Sequence, residues 1–133
     1  MRRETYVAAS ALFALLVLSG CPQTREIALT AETGPPPGKL ARLIHDDYEP
    51  VEYSVTMSKG VVMTVDCWDS CDYYCKTITI TPDDSSVVAI RPVFRLGGAT
   101  TEHLLLAGEP GTTRLTVSNA CATQSYDVTV LAD

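Results

Sequence analysis

The chain has 133 residues, room for one domain, and 46% of them are hydrophobic, a share raised by the first twenty. Its formal net charge is −6, and no cluster of Lys or Arg with interleaved aromatics offsets the acidity. Such a surface repels phosphate backbones, which excludes nucleic acid as a partner.

Residues 1–20 have the three-part layout of an export signal. Arg2 and Arg3 form the positive start, and Val7 through Leu18 is an apolar run broken only by Ser10. About twelve residues is too short to span a bilayer core, which takes roughly 18 to 20. Losing this leader removes Arg2, Arg3 and Glu4, leaving 8 basic and 15 acidic residues and a formal charge of −7.

The run ends in Leu18-Ser19-Gly20-Cys21. This tetrapeptide resembles the lipobox of bacterial lipoproteins: an aliphatic residue, two small residues, then cysteine. The resemblance implies a diacylglyceryl thioether on Cys21 and cleavage between Gly20 and Cys21 by the lipoprotein signal peptidase, with Leu18, Ser19 and Gly20 as its recognition residues. Further acylation of the new amino group, typically palmitate, would follow. Two or three acyl chains hold a protein at a membrane where one does not. Pro22 is not the aspartate that commonly retains such proteins in the inner membrane, so the outer membrane is favoured. The alternative is an ordinary secretory signal followed by a structural cysteine.

From Pro22 to Pro50 hydrophobic periodicity is weak, and Gly34-Pro35-Pro36-Pro37-Gly38 favours an extended spacer. Residues 21–50 are therefore expected to be a lipidated N-terminus and disordered tether, in which Leu40, Leu43 and Ile44 could form one short helical turn. His45-Asp46-Asp47 reads as solvated linker, because three adjacent side chains in an extended segment do not converge.

Beyond Pro50 the period becomes two. Val51, Tyr53, Val55 and Met57 alternate with polar residues, as do Val61, Met63 and Val65, then Ile78 and Ile80, Leu115 and Val117, and Tyr126, Val128 and Val130. Such alternation marks strands with one buried face. Turn signals at Ser58-Lys59-Gly60, Pro82-Asp83-Asp84-Ser85, Gly97-Gly98 and Glu109-Pro110-Gly111 separate the runs. Two less regular strands fill the gap, near Val87–Arg95 and Glu102–Ala107. About seven short strands over residues 51–133, with no convincing helix, predict an all-β antiparallel sandwich of immunoglobulin-like type.

The strand–Lys-Gly–strand run Val51–Val65, Ser85-Ser86-Val87-Val88-Ala89-Ile90, the stretch Leu106–Val117 with its Gly111-Thr112, and Tyr126-Asp127-Val128-Thr129-Val130 together resemble the bacterial immunoglobulin-like group 2 pattern. The stretch Arg91–Thr101 is longer than that pattern, and the cysteine-rich insert after Val65 is foreign to it. The resemblance implies a structural or binding module and transfers no reaction.

Cys67, Cys71, Cys75 and Cys121 remain after Cys21 is lipidated, and an even number in a small exported chain favours two disulfides. The first three fall between strands B and C and Cys121 in the F–G turn, loops that share one end of such a sandwich. Cys67 continues the inward series of Val61, Met63 and Val65, and Cys121 that of Leu115, Val117 and Asn119. Strand parity therefore makes Cys67–Cys121 with a local Cys71–Cys75 ring the first expectation, and the other connectivities stay open. Cys-x3-Cys-x3-Cys matches neither structural zinc nor a common iron–sulfur spacing. Asp66, Asp69 and Asp72 read as a solvated acidic loop, since no calcium-loop motif is present. No metal or other cofactor is expected beyond the covalent lipid.

No Gly-x-Ser-x-Gly, His-Glu-x-x-His or phosphate-binding glycine loop occurs, and the disulfides leave no thiol for Cys–His catalysis, so the chain does not read as an enzyme. Two functions fit. One is a membrane-anchored module displaying the sandwich to an envelope protein or glycan, with Trp68, Tyr73 and Tyr74 either forming the contact or covering the sandwich end. The other is a periplasmic inhibitor of a lysozyme or protease, acting through the loop between Cys67 and Cys75.

Overall fold

Alternation of β-branched and polar residues holds the chain in strands, and the computed structural model, which describes residues 25–71, 75, 77–94 and 102–132, contains nine of them. They are β1 (Ile27–Ala31), β2 (Ala41–Asp46), β3 (Glu52–Ser58), β4 (Val62–Asp69), β5 (Thr79–Pro82), β6 (Val88–Pro92), β7 (His103–Ala107), β8 (Gly111–Ser118) and β9 (Thr123–Leu131). No helix occurs among the described residues.

Two sheets result, in the orders β1-β4-β7-β6 and β2-β3-β9-β8-β5. The first is the A-B-E-D order of an immunoglobulin-type sandwich, and β9-β8-β5 is its G-F-C sheet. β3 and β2 widen that second sheet beyond β9. All pairings are antiparallel except β3 with β9, which run parallel with Val55 opposite Val128. The seven expected strands are thus present, in a sandwich of the expected type with one parallel pair.

The inward series predicted from the two-residue period form the core. Val55, Met57, Met63, Val65, Leu115 and Val117 are all fully buried, and Tyr126 joins them. Fully burying one such aliphatic side chain contributes about 1.5–3 kcal/mol, offset in large part by the entropy of ordering the chain. Gly60, at φ 77°, lets the chain cross from β3 in one sheet to β4 in the other, a conformation glycine adopts without steric cost. Gly108 closes the turn after β7: its N–H donates to the Val87 carbonyl at 2.8 Å, and a Cβ there would collide with the Ser86 carbonyl oxygen.

The expected tether contains two strands of the sandwich. β1 and β2 lie within residues 21–50, so among the described residues the first strand begins at Ile27 and not at 51. β1 shows no alternation because Ile27, Ala28 and Leu29 are all buried. Ala28 lies directly opposite Trp68 on the outer face, which shields even its outward side. The stretch expected as a helical turn is strand: Leu43 and Ile44 sit in β2, facing Val55 and Ser54 of β3. Their helical spacing was a coincidence with the two-residue period Ala41, Leu43, His45, which supplies the inward side of β2. The prolines 35–37 occupy only the link between the two strands.

Candidate functional site

Four pieces of chain meet at one end of the sandwich: the start of β1, the β2–β3 turn, the loop after β4, and the β8–β9 turn. Two disulfides hold the last two of these pieces. Cys67 joins Cys75 with Cα atoms 5.6 Å apart, and Cys71 joins Cys121 at 6.0 Å. This corrects the expected pairing of Cys67 with Cys121 and Cys71 with Cys75.

Parity was right for Cys67, which points inward and is buried, but β4 runs on through Asp69 and so holds it inside the sheet. Cys75 turns back into the core just before β5 and is fully buried, so the two interior sulfurs meet. Cys121 lies past the end of β8 in a tight turn, where strand parity no longer applies. There the Asn119 N–H donates to the Ala122 carbonyl at 3.0 Å. The Asn119 Oδ1 accepts from the N–H groups of Cys121 at 2.8 Å and Ala122 at 3.0 Å. The turn sets Cys121 at the rim, where the exposed Cys71 reaches it.

Asp69 was read as part of a solvated loop, yet it is 3% exposed. Its Oδ1 accepts from the Cys71 N–H at 2.9 Å and its Oδ2 from the Asn119 side-chain amide at 2.9 Å. The carboxylate therefore holds together the two segments that the Cys71–Cys121 bridge joins, which offsets the cost of burying it. A carboxylate oxygen of Asp69 and the sulfurs of Cys71 and Cys121 lie within 4.8 Å of one another. Only as thiolates could those sulfurs ligate a metal, and bridged they carry no charge. Asp66 accepts from the N–H of Cys67 at 2.7 Å, and Asp72 lies outside the described residues.

The chain enters the sandwich at this end. The Ser70 N–H donates to the Glu26 carbonyl at 3.0 Å, and the Glu26 N–H donates to the Ser70 hydroxyl at 2.8 Å. Trp68 stands beside this junction on the outer face of the first sheet, 36% exposed. Tyr73 and Tyr74, and the lipobox residues Leu18, Ser19, Gly20 and Cys21, lie outside the described residues.

A second cluster was missed in the sequence. The Tyr126 hydroxyl accepts from the buried Leu29 N–H at 2.9 Å and bonds His45 Nδ1 at 2.7 Å. His45 Nε2 lies 3.4 Å from Asp47 Oδ2, and the Tyr53 hydroxyl donates to the same carboxylate. A proton on Nε2 satisfies this arrangement, with Nδ1 accepting from Tyr126. His45 and Asp47 are therefore not solvated linker but a carboxylate–imidazole–phenol chain that ties β1 of one sheet to β2 and β9 of the other. Inward parity could have flagged Tyr53 and Tyr126, but not a bond across 81 residues.

Burial is the main cause that pushes the Tyr126 phenol from 10.0 up to about 12, with the Asp47 charge and Tyr53 adding and the Leu29 N–H opposing. The Tyr53 phenol is also raised to about 12, first by its bond to Asp47, then by desolvation and by the charges of Asp47, Glu26 and Asp46. A phenol whose proton is held more tightly in the folded state contributes stability that is complete below about pH 10 and lost as pH rises through about 12. Alkaline titration of phenolate absorbance on the folded protein should show a late step of two phenols, which Tyr126→Phe reduces to the one from Tyr53. Titration of every phenol near 10 with native circular dichroism would contradict this.

Among the described residues a shallow depression also lies on the outer face of the second sheet, between Asp83, Arg114 and Asp127. It is open to solvent, and Arg114 there faces Asp127 at 3.7 Å, both largely exposed. No family model matches the chain, and neither a curated protein nor a solved structure does.

Proposed function

We propose that this chain is a lipid-anchored protein of the bacterial cell envelope that displays a disulfide-stapled immunoglobulin-like sandwich as a structural or binding module. The observation that carries this reading is the cysteine pairing. Cys67, Cys71, Cys75 and Cys121 pair with one another, so Cys21, directly after Leu18-Ser19-Gly20, has none of them as partner. Two disulfides also suit an oxidising compartment outside the cytoplasm. Among the described residues no helix is long and apolar enough to cross a membrane. Attachment in this reading rests on the lipid, in the outer membrane by virtue of Pro22.

The resemblance to the bacterial immunoglobulin-like group 2 pattern supports a module over an enzyme. So does the chain of Asp47, His45 and Tyr126, whose phenol is fully buried and is occupied in bonding Leu29 and His45 across the two sheets. Metabolic labelling with a fatty acid tests the anchor. Wild-type protein should incorporate label and float with vesicles, whereas Cys21→Ser should lose at least about 90% of the label and accumulate as precursor or as a soluble form. Equal labelling of both would sink the proposal.

A further inference from the structure

The position of β1 sets how an anchored sandwich must stand. Only six residue steps separate Cys21 from Ile27, the first residue of β1, and six residues span at most about 20 Å. That strand starts at the stapled end, where Glu26 and Ser70 bond each other and Cys71 is bridged to Cys121. The other end carries the β3–β4 turn and the end of β9, joined by the Lys59 N–H donating to the Leu131 carbonyl at 2.9 Å. A strand of nine residues such as β9 is about 30 Å long.

Two amphipathic aromatic side chains are exposed at the near end. Tyr48, in the β2–β3 turn, is 85% exposed, and Trp68 flanks the point where the chain enters. Amphipathic rings of this kind settle at the headgroup level of a bilayer. The carboxylates of Glu26, Asp46 and Asp47 act together on Tyr53 at the same end. Anionic lipid would repel them within a Debye length of about 8 Å, so the surface they fit is zwitterionic.

We infer that the stapled end is the membrane-facing end: with lipid on Cys21, Tyr48 and Trp68 meet a zwitterionic headgroup layer, and the β3–β4 and β7–β8 turns point away. This rests on the lipid anchor proposed above. It makes the aromatic rim a membrane contact and leaves the far end and the sheet faces for other partners.

Trp68 is the sole tryptophan of the chain, which makes the test direct. Full-length lipidated protein is reconstituted into phosphatidylcholine vesicles with or without a headgroup spin label, and flotation of the same samples reports anchoring. Trp68 emission should fall at least about twofold in labelled vesicles. The variant Trp68→Phe with Glu109→Trp, which moves the reporter to the far turn, should keep its emission. Floating protein with Trp68 unquenched would leave the stapled end free for a protein or glycan and overturn the inference while the anchor stands, as would equal quenching at both positions. Protein that neither floats nor carries fatty acid would refute the anchor itself, and the orientation with it.

Discussion

Replacing Cys71 and Cys121 together by alanine is expected to lower the unfolding free energy by about 4 kcal/mol, the loop-closure entropy of a ring of this size. The two cysteines are 50 residues apart in sequence, so the bridge removes a large set of conformations from the unfolded chain. The Cys67–Cys75 bridge spans a separation of 8 and contributes only about 2.5 kcal/mol by the same effect. Its sulfurs are packed in the core, so Cys67→Ala with Cys75→Ala adds the cost of a cavity, on the order of 1 kcal/mol or more. For a domain of roughly 100 residues, losing about 4 kcal/mol should lower Tm by at least about 15 °C.

Thermal melts of the non-lipidated Cys21→Ser protein measure the loss, and a change below about 1 kcal/mol would show that the bridge does not form. Cleavage before aspartate under non-reducing conditions reads the pairing independently, because Asp69 and Asp72 separate Cys67, Cys71 and Cys75. Cys71 should appear linked to the Cys121 peptide. Cys67 linked to it instead would restore the pairing that strand parity suggested.

The Tyr126→Phe substitution should cost about 2–3 kcal/mol although it removes a single oxygen. Leu29 is 1% exposed, and its N–H has the Tyr126 hydroxyl as acceptor. A buried donor left without a partner costs about 1–3 kcal/mol, and the lost bond to His45 adds about 1 kcal/mol. The two rings also lie with centroids 5.9 Å apart, so the imidazole loses its positioning partner. Tyr53→Phe breaks a bond to the exposed Asp47 and should cost under about 1 kcal/mol. Denaturant unfolding of the two variants, with amide exchange at Leu29 as a local probe, separates these effects. Equal costs for the two substitutions, or unchanged protection of the Leu29 amide, would mean that β1 is not held by the phenol.

Periodicity recovered β3, β4, β8 and β9 because each has one wet face and one dry face, and a two-residue period is the direct imprint of that asymmetry. β1 and β2 left no such imprint. β1 is buried on both sides by the core and by the strand carrying Trp68, so its sequence does not alternate. β2 is an edge strand whose half-buried Leu43 and Ile44 fit helical and strand spacing equally well. The composition around three consecutive prolines then favoured a tether over the strands flanking them.

What the sequence determined alone was local to the chain: the outward and inward faces of the longer strands, and four cysteines beyond residue 60 suited to disulfides. Which cysteine meets which was decided by tertiary structure. Parity carries no information past a strand end, and the turn at Asn119–Ala122 and the return of Cys75 into the core lie beyond two such ends. The same holds for Asp69, His45 and Asp47, polar residues that look solvated in any local window. Asp69 is buried and His45 half-buried because partners 50 and 81 residues away fold against them, and Asp47 is paired with the His45 so placed. Hydrogen bonds of that range depend on how the two sheets pack, and packing is a property of the whole sandwich that no short stretch of sequence records.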